Sequence, residues 1–378
     1  MSELVIRNAK LVLADEVIEG SLSVVDGVIR DFDHGNLNIG EDFGGDYLIP
    51  GLVELHTDHF ENHYRPRPGV TWNAIAALQA HDAQVAGAGI TTVFDAVRLG
   101  SDPEIGHIGS DVDAQVDAIA HAQAEDRLRA EHLVHLRCEL PTPDVIEHFM
   151  AQCDKPVVRL ASLMDHTPGA RQYVTLEHYT AYYKKKMRLS DAEMDQFIAD
   201  RKREHDLYAK KSHDAILSKG REIGLAFASH DDATIAHVDE AVADGVVIAE
   251  FPTTLDAAKA AHGHGLAVLM GAPNVVRGKS HNGNISASDL AREGVLDVLS
   301  SDYVPFSLLI AGFLLPEKVE GISLPEAIGL VTRNPARAAH LNDRGEIAVG
   351  KRGDLVRVRA TSTSPVVRGV WREGNRVS

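Results

Sequence analysis

The chain is poor in cysteine and in positive charge. Its 378 residues include only 2 cysteines, Cys138 and Cys153, which form neither a CxxC pair nor a zinc knuckle and cannot support a disulfide framework. Lys and Arg total 38 against 55 Asp and Glu, and the formal net charge of −17 disfavours broad binding of nucleic acid or an anionic membrane. We therefore expect a cytoplasmic protein that binds any anion locally.

Targeting signals and long hydrophobic runs are also missing. Charged residues interrupt every apolar run near the N-terminus, so we expect no signal peptide. The most apolar stretch, 304–316, is too short to cross a bilayer of about 30 Å.

The nearest match to a phosphate loop has Pro273 in place of its first glycine, and no complete dinucleotide fingerprint or GxSxG elbow is present. A nicotinamide or flavin enzyme therefore has no support.

Histidine, by contrast, is abundant, with 20 residues in an acidic chain that has almost no thiols. Imidazole and carboxylate are ligands that suit zinc and other first-row divalent metals. This bias predicts metal binding by histidine and acidic side chains rather than by cysteine.

The order of predicted elements indicates an α/β protein. Residues 1–48 and 345–378 show short β runs and glycine turns, including a hairpin at Asp26-Gly27, and predict one small β-sandwich-like domain built from both termini. Residues 49–344 alternate strands with helices and predict a TIM-type (β/α)8 barrel. The eight predicted barrel strands are 48–55, 91–97, 132–140, 157–163, 224–229, 246–251, 266–270 and 296–300.

One segment interrupts the barrel pattern. The residues near 171–215 are dense in charge and predict an inserted helical segment. Two interpretations stay open, a solvated insertion or a lid, because loops at the C-terminal face of such barrels often carry function.

The first barrel strand ends in titratable residues. Period-2 alternation places Glu54, His56 and Asp58 on one face of this strand. A histidine and an aspartate two residues apart can bind one metal ion from the same side. A hydrogen-bonded His–Asp pair is the alternative.

The third strand carries three more polar residues on one face. Alternation turns His135, Arg137 and Glu139 toward the barrel interior, where such groups are costly unless they are paired or bind a metal.

Three later strands also end in potential ligands. His166 and His230 follow apolar strands, and Asp302 follows the last one. Each is ordinary alone, and Asp231 or Asp232 could simply cap the next helix. Together with the earlier strand ends, they predict a cluster of six ligands where the active sites of barrel enzymes lie.

Several strings in the chain resemble those of a known family. They are GLVELHTD at 51–58, HLRCE at 135–139, DHTPG at 165–169, SHDD at 229–232, EFPTT at 250–254, SHNGN at 280–284 and SSDY at 300–303. They are similar to the PhnM-type diphosphatases of alkylphosphonate metabolism, which belong to the amidohydrolase superfamily, and the match spans nearly the whole chain.

This resemblance implies a metal-dependent hydrolase that converts a ribose 1-alkylphosphonate 5-triphosphate to the 5-phosphate and pyrophosphate. It implies two divalent ions, with zinc favoured and manganese or magnesium as alternatives, because the first strand carries His-x-Asp rather than His-x-His. His59 stands where the family leads us to expect asparagine. Glu139 is the expected bridging carboxylate, and the implied ligands are His56, Asp58, Glu139, His166, His230 and Asp302.

The resemblance also suggests roles in catalysis. Asp302 would take the proton of the attacking water, and positively charged side chains would bind the phosphates of the small-molecule substrate. The candidates for this binding are Arg65, Arg67, Arg137, Arg171, Lys279 and His281. A homo-oligomer and association with other phosphonate-pathway enzymes stay open.

Two other functions compete with this one. The same ligands could serve an amidohydrolase that opens a cyclic amide or deaminates a nucleobase-like substrate, and fold alone does not decide between these reactions. A barrel scaffold without catalysis is the non-enzyme alternative, although such a scaffold would normally have lost ligands. Pyrophosphate release, ammonia release and bound-metal content would separate the three.

Overall fold

A computed structural model describes residues 3–35, 37–101, 109–171, 176–278, 280 and 284–378. Two predicted substrate-binding residues, Lys279 and His281, lie outside the described residues. The described residues group into two compact units. Unit 1 comprises Met1–Asp95, His121–Leu133 and Met270–Ser378, and unit 2 comprises Ala96–Ala120 and Val134–Leu269. The domain boundaries expected from the sequence stay a prediction.

A mixed β-sheet is built from both ends of the chain, as predicted. Its strands run in the order β16-β15-β14-β5-β1-β2-β3, with β4 beside β1. Asp26 and Gly27 have φ of 50° and 80°, the left-handed geometry that a two-residue hairpin turn requires, so the predicted hairpin is confirmed. The strands are β1 Glu3–Val12, β2 Val17–Val25, β3 Val28–His34, β4 Glu41–Asp42, β5 Tyr47–Pro50, β14 Leu355–Arg359, β15 Val366–Arg372 and β16 Asn375–Arg376.

The other eight strands form one parallel sheet in chain order, from β6 to β13. Its first and last strands meet through a bridge between Thr57 and Asp302, so the sheet is a nearly closed barrel and the predicted fold class is confirmed. These strands are β6 Leu52–Thr57, β7 Ile90–Leu99, β8 Glu131–Glu139, β9 Val158–Met164, β10 Ala226–His230, β11 Ile248–Glu250, β12 Ala267–Gly271 and β13 Val298–Ser300.

The first predicted barrel strand, 48–55, was wrong as a single element. It divides at Gly51 into β5, which belongs to the mixed sheet, and β6, which belongs to the barrel. A Cβ atom at Gly51 would lie 2.2 Å from Oγ1 of Thr91, so no larger residue fits there without a shift. The apolar run is continuous across this point because both strands are buried.

Helices connect the barrel strands. Fourteen α-helices lie in the described ranges, and a π-helical turn, His205–Ala209, joins two of them. None of these described helices combines the length and the apolar character needed to span a membrane. They are α1 His59–Tyr64, α2 Ala74–Gly87, α3 Gly109–Ala124, α4 Val145–Gln152, α5 Leu176–Met187, α6 Asp191–Glu204, α7 Lys210–Ile223, α8 Ile235–Asp244, α9 Leu255–Gly263, α10 Ala272–Arg277, α11 Ala287–Arg292, α12 Ser307–Lys318, α13 Leu324–Gly329 and α14 Arg333–Ala338.

The charge-dense segment near 171–215 contains α5, α6, the π-helical turn and the start of α7. Ser190 and Glu193 form a capping box at the start of α6, which satisfies two backbone N–H groups of that helix. The buried side chains of Tyr179 and Met194 join α5 to α6. This small core supports the predicted helical character, whereas the lid interpretation stays a prediction.

Candidate metal centre

In unit 2, the structure brings Glu139 and His166 together. Glu139 ends β8 and His166 follows β9, the neighbouring strand. The carboxylate Oε2 of Glu139 lies 2.5 Å from Nδ1 of His166, and Oε1 accepts a hydrogen bond of 3.0 Å from the His166 backbone N–H. Arg98 lies 3.5 Å from the same Oε2. Two of the six predicted ligands are therefore direct neighbours.

A second arrangement joins His166 and His230 to Asp231. The buried Oδ2 of Asp231 lies 3.7 Å from Nε2 of His166 and 3.6 Å from Nε2 of His230. Within the described residues, this oxygen accepts no hydrogen bond. Donor atoms around a tetrahedral metal ion with bonds of about 2.1 Å are roughly 3.4 Å apart. The three side chains therefore fit one divalent ion.

The sequence left Asp231 and Asp232 as alternatives for capping the next helix, and that interpretation is wrong. Thr234 is the N-cap of α8, and its side chain accepts a hydrogen bond from the backbone N–H of His237. Asp232 instead accepts a hydrogen bond of 2.5 Å from Ser229, which leaves Asp231 available to the two imidazoles.

Glu250 was missed by the sequence reasoning. It is 1% exposed at the end of β11, its Oε2 lies 3.2 Å from Nδ1 of His230, and its Oε1 lies 3.8 Å from Nδ1 of His135. A carboxylate on the second nitrogen of a metal-binding histidine fixes the orientation of the ring and its protonation. The sequence signal that could have identified Glu250 is its charge near the end of the otherwise apolar predicted strand 246–251.

Neighbouring charges shift the pKa values of His166 and Glu139 in opposite directions. Burial works against the protonated form of His166, but the carboxylates of Glu139 and Asp231 outweigh it and raise the pKa of His166 to about 9. Burial also opposes ionisation of Glu139, yet the neighbouring His166 and Arg98 hold the pKa of Glu139 well below its usual range. Glu139 is therefore a carboxylate at neutral pH, the form that a metal requires.

In unit 1, His56, Asp58 and Asp302 lie on adjoining backbone. The Asp302 backbone N–H donates to the carbonyl of His56 at 3.2 Å, and the Thr57 hydroxyl donates to the Asp302 carbonyl at 2.6 Å. Asp58 directly precedes α1, and its side chain makes no capping hydrogen bond there. The backbone pairing thus holds the first and last strand ends of the barrel side by side.

Glu54 binds the backbone of the first and last strand ends through its side chain. It is fully buried, and its carboxyl oxygens accept hydrogen bonds from the backbone N–H groups of His56 at 2.7 Å and Ser301 at 2.5 Å. Burial raises the pKa of Glu54 to about 8 against the effect of these donors. Glu54 therefore positions the backbone next to His56 and Asp302.

Three residues that lie one or two positions after barrel strands adopt left-handed backbone geometry. They are Asp231 with φ of 57°, Phe251 with φ of 54° and Asp302 with φ of 55°. Aspartate tolerates this region, but a bulky residue such as phenylalanine rarely adopts it. Such geometry is concentrated at functional sites, where surrounding structure holds it in place.

Comparison with known proteins gives the family. The amidohydrolase family model matches residues 92–378. The chain belongs to the amidohydrolase family. The α-D-ribose 1-methylphosphonate 5-triphosphate diphosphatase of Escherichia coli (strain K12) is 45% identical over 377 residues, covering 99% of this chain and 100% of that protein. The resemblance inferred from the sequence is thereby confirmed.

Two solved structures share the fold. The 5-methylcytosine deaminase of Klebsiella pneumoniae matches with a TM-score of 0.65 and 15% identity, covering 99% of this chain and 98% of the deaminase. The N-acetylglucosamine-6-phosphate deacetylase of Pasteurella multocida matches with a TM-score of 0.62 and 13% identity, covering 99% of each chain. At these identities the likeness shows the fold alone.

The four described candidates for phosphate binding differ in setting. Arg65 is half-buried just after α1, and Arg67 is exposed two residues later. Arg137 is half-buried within β8. Arg171 already pairs with two carboxylates, those of Asp232 and Glu240. Arg67 is therefore the most open of the four to an anion in this amidohydrolase.

A cavity of about 380 Å³ lies in unit 2, but it is separate from the ligand cluster. Its lining includes Asp165, Arg171, His205, Lys210 and His213, and it includes none of Glu139, His166 and His230. His205 from the π-helical turn pairs with Asp165 at 2.8 Å. The cavity therefore lies beside the strand end that carries His166 rather than around its imidazole.

Proposed function

We propose that this amidohydrolase hydrolyses a ribose 1-alkylphosphonate 5-triphosphate to the 5-phosphate and pyrophosphate during phosphonate utilisation. The observation that carries the proposal is the 45% identity to the Escherichia coli diphosphatase over 377 residues, which leaves no part of that relative unmatched. Buried histidines and carboxylates at the strand ends agree with a metal-dependent hydrolase. The cytoplasmic location, a homo-oligomer and association with other enzymes of the pathway stay predictions.

Six residues are proposed as ligands of two divalent ions, with zinc favoured and manganese or magnesium as alternatives. The fit of a divalent ion to His166, His230 and Asp231 supports this proposal and makes Asp231 a seventh candidate beside the six expected from the sequence. Two such ions, when bound, lower the pKa of a bound water to roughly 7 and so supply hydroxide near neutral pH. The six are His56, Asp58, Glu139, His166, His230 and Asp302.

The protein's own residues then have distinct roles. Asp302 takes the proton of the attacking water, and its backbone is held in position by His56 and Thr57. Glu250 and Glu139 hold the imidazoles of His230 and His166 in orientation.

The bond that breaks joins the first phosphorus atom of the triphosphate to the oxygen that bridges it to the second. The water oxygen attacks the phosphorus nearest the ribose, and pyrophosphate leaves with the bridging oxygen. Positive side chains stabilise the charge that develops on the phosphate oxygens. The residues proposed for this role are Arg65, Arg67, Arg137, Arg171, Lys279 and His281.

Product analysis tests the proposed function against its rival. The purified, zinc-reconstituted protein is incubated with ribose 1-methylphosphonate 5-triphosphate and, separately, with cyclic amides and aminopyrimidines. We expect stoichiometric pyrophosphate from the first and neither ammonia nor ring opening from the others. Ammonia release or ring opening without pyrophosphate would support the alternative amidohydrolase reaction. Where a proposed histidine ligand is replaced by glutamine, His34→Gln is the matched control. His34 is an exposed histidine on β3.

A further inference from the structure

Three histidines in unit 1, none of them among the proposed catalytic ligands, lie close together. His59 and His63 are four residues apart on α1, so they share one face of this helix, and His81 lies on α2. The ring centroids are 5.1 Å apart for His59 and His63, 5.7 Å for His59 and His81, and 6.0 Å for His63 and His81. One nitrogen from each ring lies within 4.8 Å of the other two.

One ring nitrogen of His81 is buried and has no partner in the part of the chain that the structure describes. The residue is 0% exposed, and its buried Nδ1 has no hydrogen-bond partner within the described residues. Because leaving a buried polar atom unpaired destabilises the folded protein, this nitrogen points to a ligand that the described residues do not supply.

The other nitrogen of His81 is held by a buried carboxylate. Nε2 lies 2.7 Å from Oδ1 of Asp95, and Oδ2 of Asp95 lies 2.7 Å from Nδ1 of His132. Burial would raise the pKa of Asp95, but His132 and His81 outweigh burial and lower it to about 2. Asp95 is therefore ionised, and a carboxylate in this position orients a metal-binding histidine and increases its basicity.

Two side-chain amides contact the rings on α1: that of Gln84 and that of Asn62, whose Nδ2 lies 3.2 Å from Nδ1 of His59. Oε1 of Gln84 lies 2.9 Å from Nε2 of His59 and 3.2 Å from Nε2 of His63, so the amide oxygen sits beside both rings. Burial lowers the pKa of His63 and of His81, which keeps both rings in the neutral form that binds metals. Three imidazoles and a nearby amide oxygen form a donor set that suits zinc and similar divalent ions.

We propose that His59, His63 and His81 bind one further divalent transition-metal ion, of the class of zinc or cobalt(II). The ion joins α1 to α2. Because α1 begins directly after Asp58 and ends directly before Arg65, the ion fixes the helix between a proposed catalytic ligand and a proposed phosphate-binding residue. This site does not depend on the proposed function, since it shares no residue with the catalytic set.

Metal stoichiometry tests this site directly. Wild-type protein, His63→Gln and the exposed control His34→Gln are stripped with chelator, reconstituted with zinc, desalted and analysed for zinc per chain. We expect His63→Gln to hold one equivalent less than wild type, and His34→Gln to hold the same as wild type. Equal zinc content in His63→Gln and wild type would overturn the proposal, because the cluster would then be a hydrogen-bonded network without an ion.

A second comparison separates this site from the catalytic one. Asp302→Asn and the double variant Asp302→Asn/His63→Gln are titrated with cobalt(II), and the visible absorption of the bound ion is recorded. The proposal predicts that the double variant lacks one tetrahedral cobalt signal that Asp302→Asn retains, whatever the activity toward the triphosphate. Identical spectra would contradict it. If His63→Gln does not fold, His59→Gln replaces it, because His59 is also only half-buried.

Discussion

Replacing Glu250 by glutamine tests whether the buried carboxylate tunes a metal ligand. Glu250 is 1% exposed, and its Oε2 lies 3.2 Å from Nδ1 of His230. Glutamine keeps the shape of the side chain but removes the negative charge that makes His230 a better donor. Removing such a partner typically weakens metal binding by about 10–100-fold, or about 1.4–2.8 kcal/mol. We expect a loss in this range for one of the two ions.

The loss is measured with a metal buffer. Zinc affinity of Glu250→Gln is compared with that of wild type and of Glu222→Gln, an exposed glutamate on α7 paired with Lys219. At limiting zinc, kcat/KM of Glu250→Gln falls in proportion to occupancy, and excess zinc restores it. If the zinc affinity of Glu250→Gln lies within twofold of wild type, the carboxylate does not act through His230 and the reasoning is refuted.

Two further predictions concern catalysis and stability. Asp302→Asn should lower kcat by about 100-fold or more even at saturating zinc, because the amide cannot take the proton of water; an unchanged kcat at saturating zinc would exclude Asp302 as the base. Asp82→Asn should lower the free energy of unfolding in urea at pH 7 by about 3 kcal/mol. The buried carboxylate of Asp82 accepts hydrogen bonds of 2.9 Å from the backbone N–H groups of Arg129 and Ala130, and one of 3.0 Å from the Arg129 guanidinium. Although burial opposes it, the pKa of Asp82 is lowered in the folded protein, mainly by His132. The ionised carboxylate therefore stabilises the folded protein above about pH 4, and this stabilisation is lost as the pH falls further. A difference that persists unchanged at pH 3 would contradict this origin.

Much of the fold follows from the sequence because its patterns are local. Alternation of apolar and polar residues identifies the barrel strands, and Asp26-Gly27 identifies the hairpin. The division of the first predicted strand at Gly51 was missed because both strands that meet there are buried, and no polar residue marks the boundary. The close approach of Thr91, which only the structure shows, explains why this position holds a glycine.

The sequence identifies candidate ligands that stand at strand ends, but it identifies less well the candidates that depend on distances between elements. His166 and His230 are visible as histidines that follow apolar runs. Asp231 was hidden because a strand-end aspartate before a helix equally predicts a cap, and only its separation from the two imidazoles identifies it as a ligand candidate. The unpaired nitrogen of His81 is likewise a property of packing, because α1 and α2 are separated by a loop that the sequence pattern does not orient.

The fate of labelled water tests the central claim most directly. The zinc-reconstituted protein hydrolyses ribose 1-methylphosphonate 5-triphosphate in H2(18)O, and the products are examined by phosphorus NMR, which resolves the isotope shift at each phosphorus. The account predicts one labelled oxygen in the 5-phosphate and unlabelled pyrophosphate. Label in pyrophosphate would place the attack on the second phosphorus, and an intact triphosphate would contradict the proposed reaction itself.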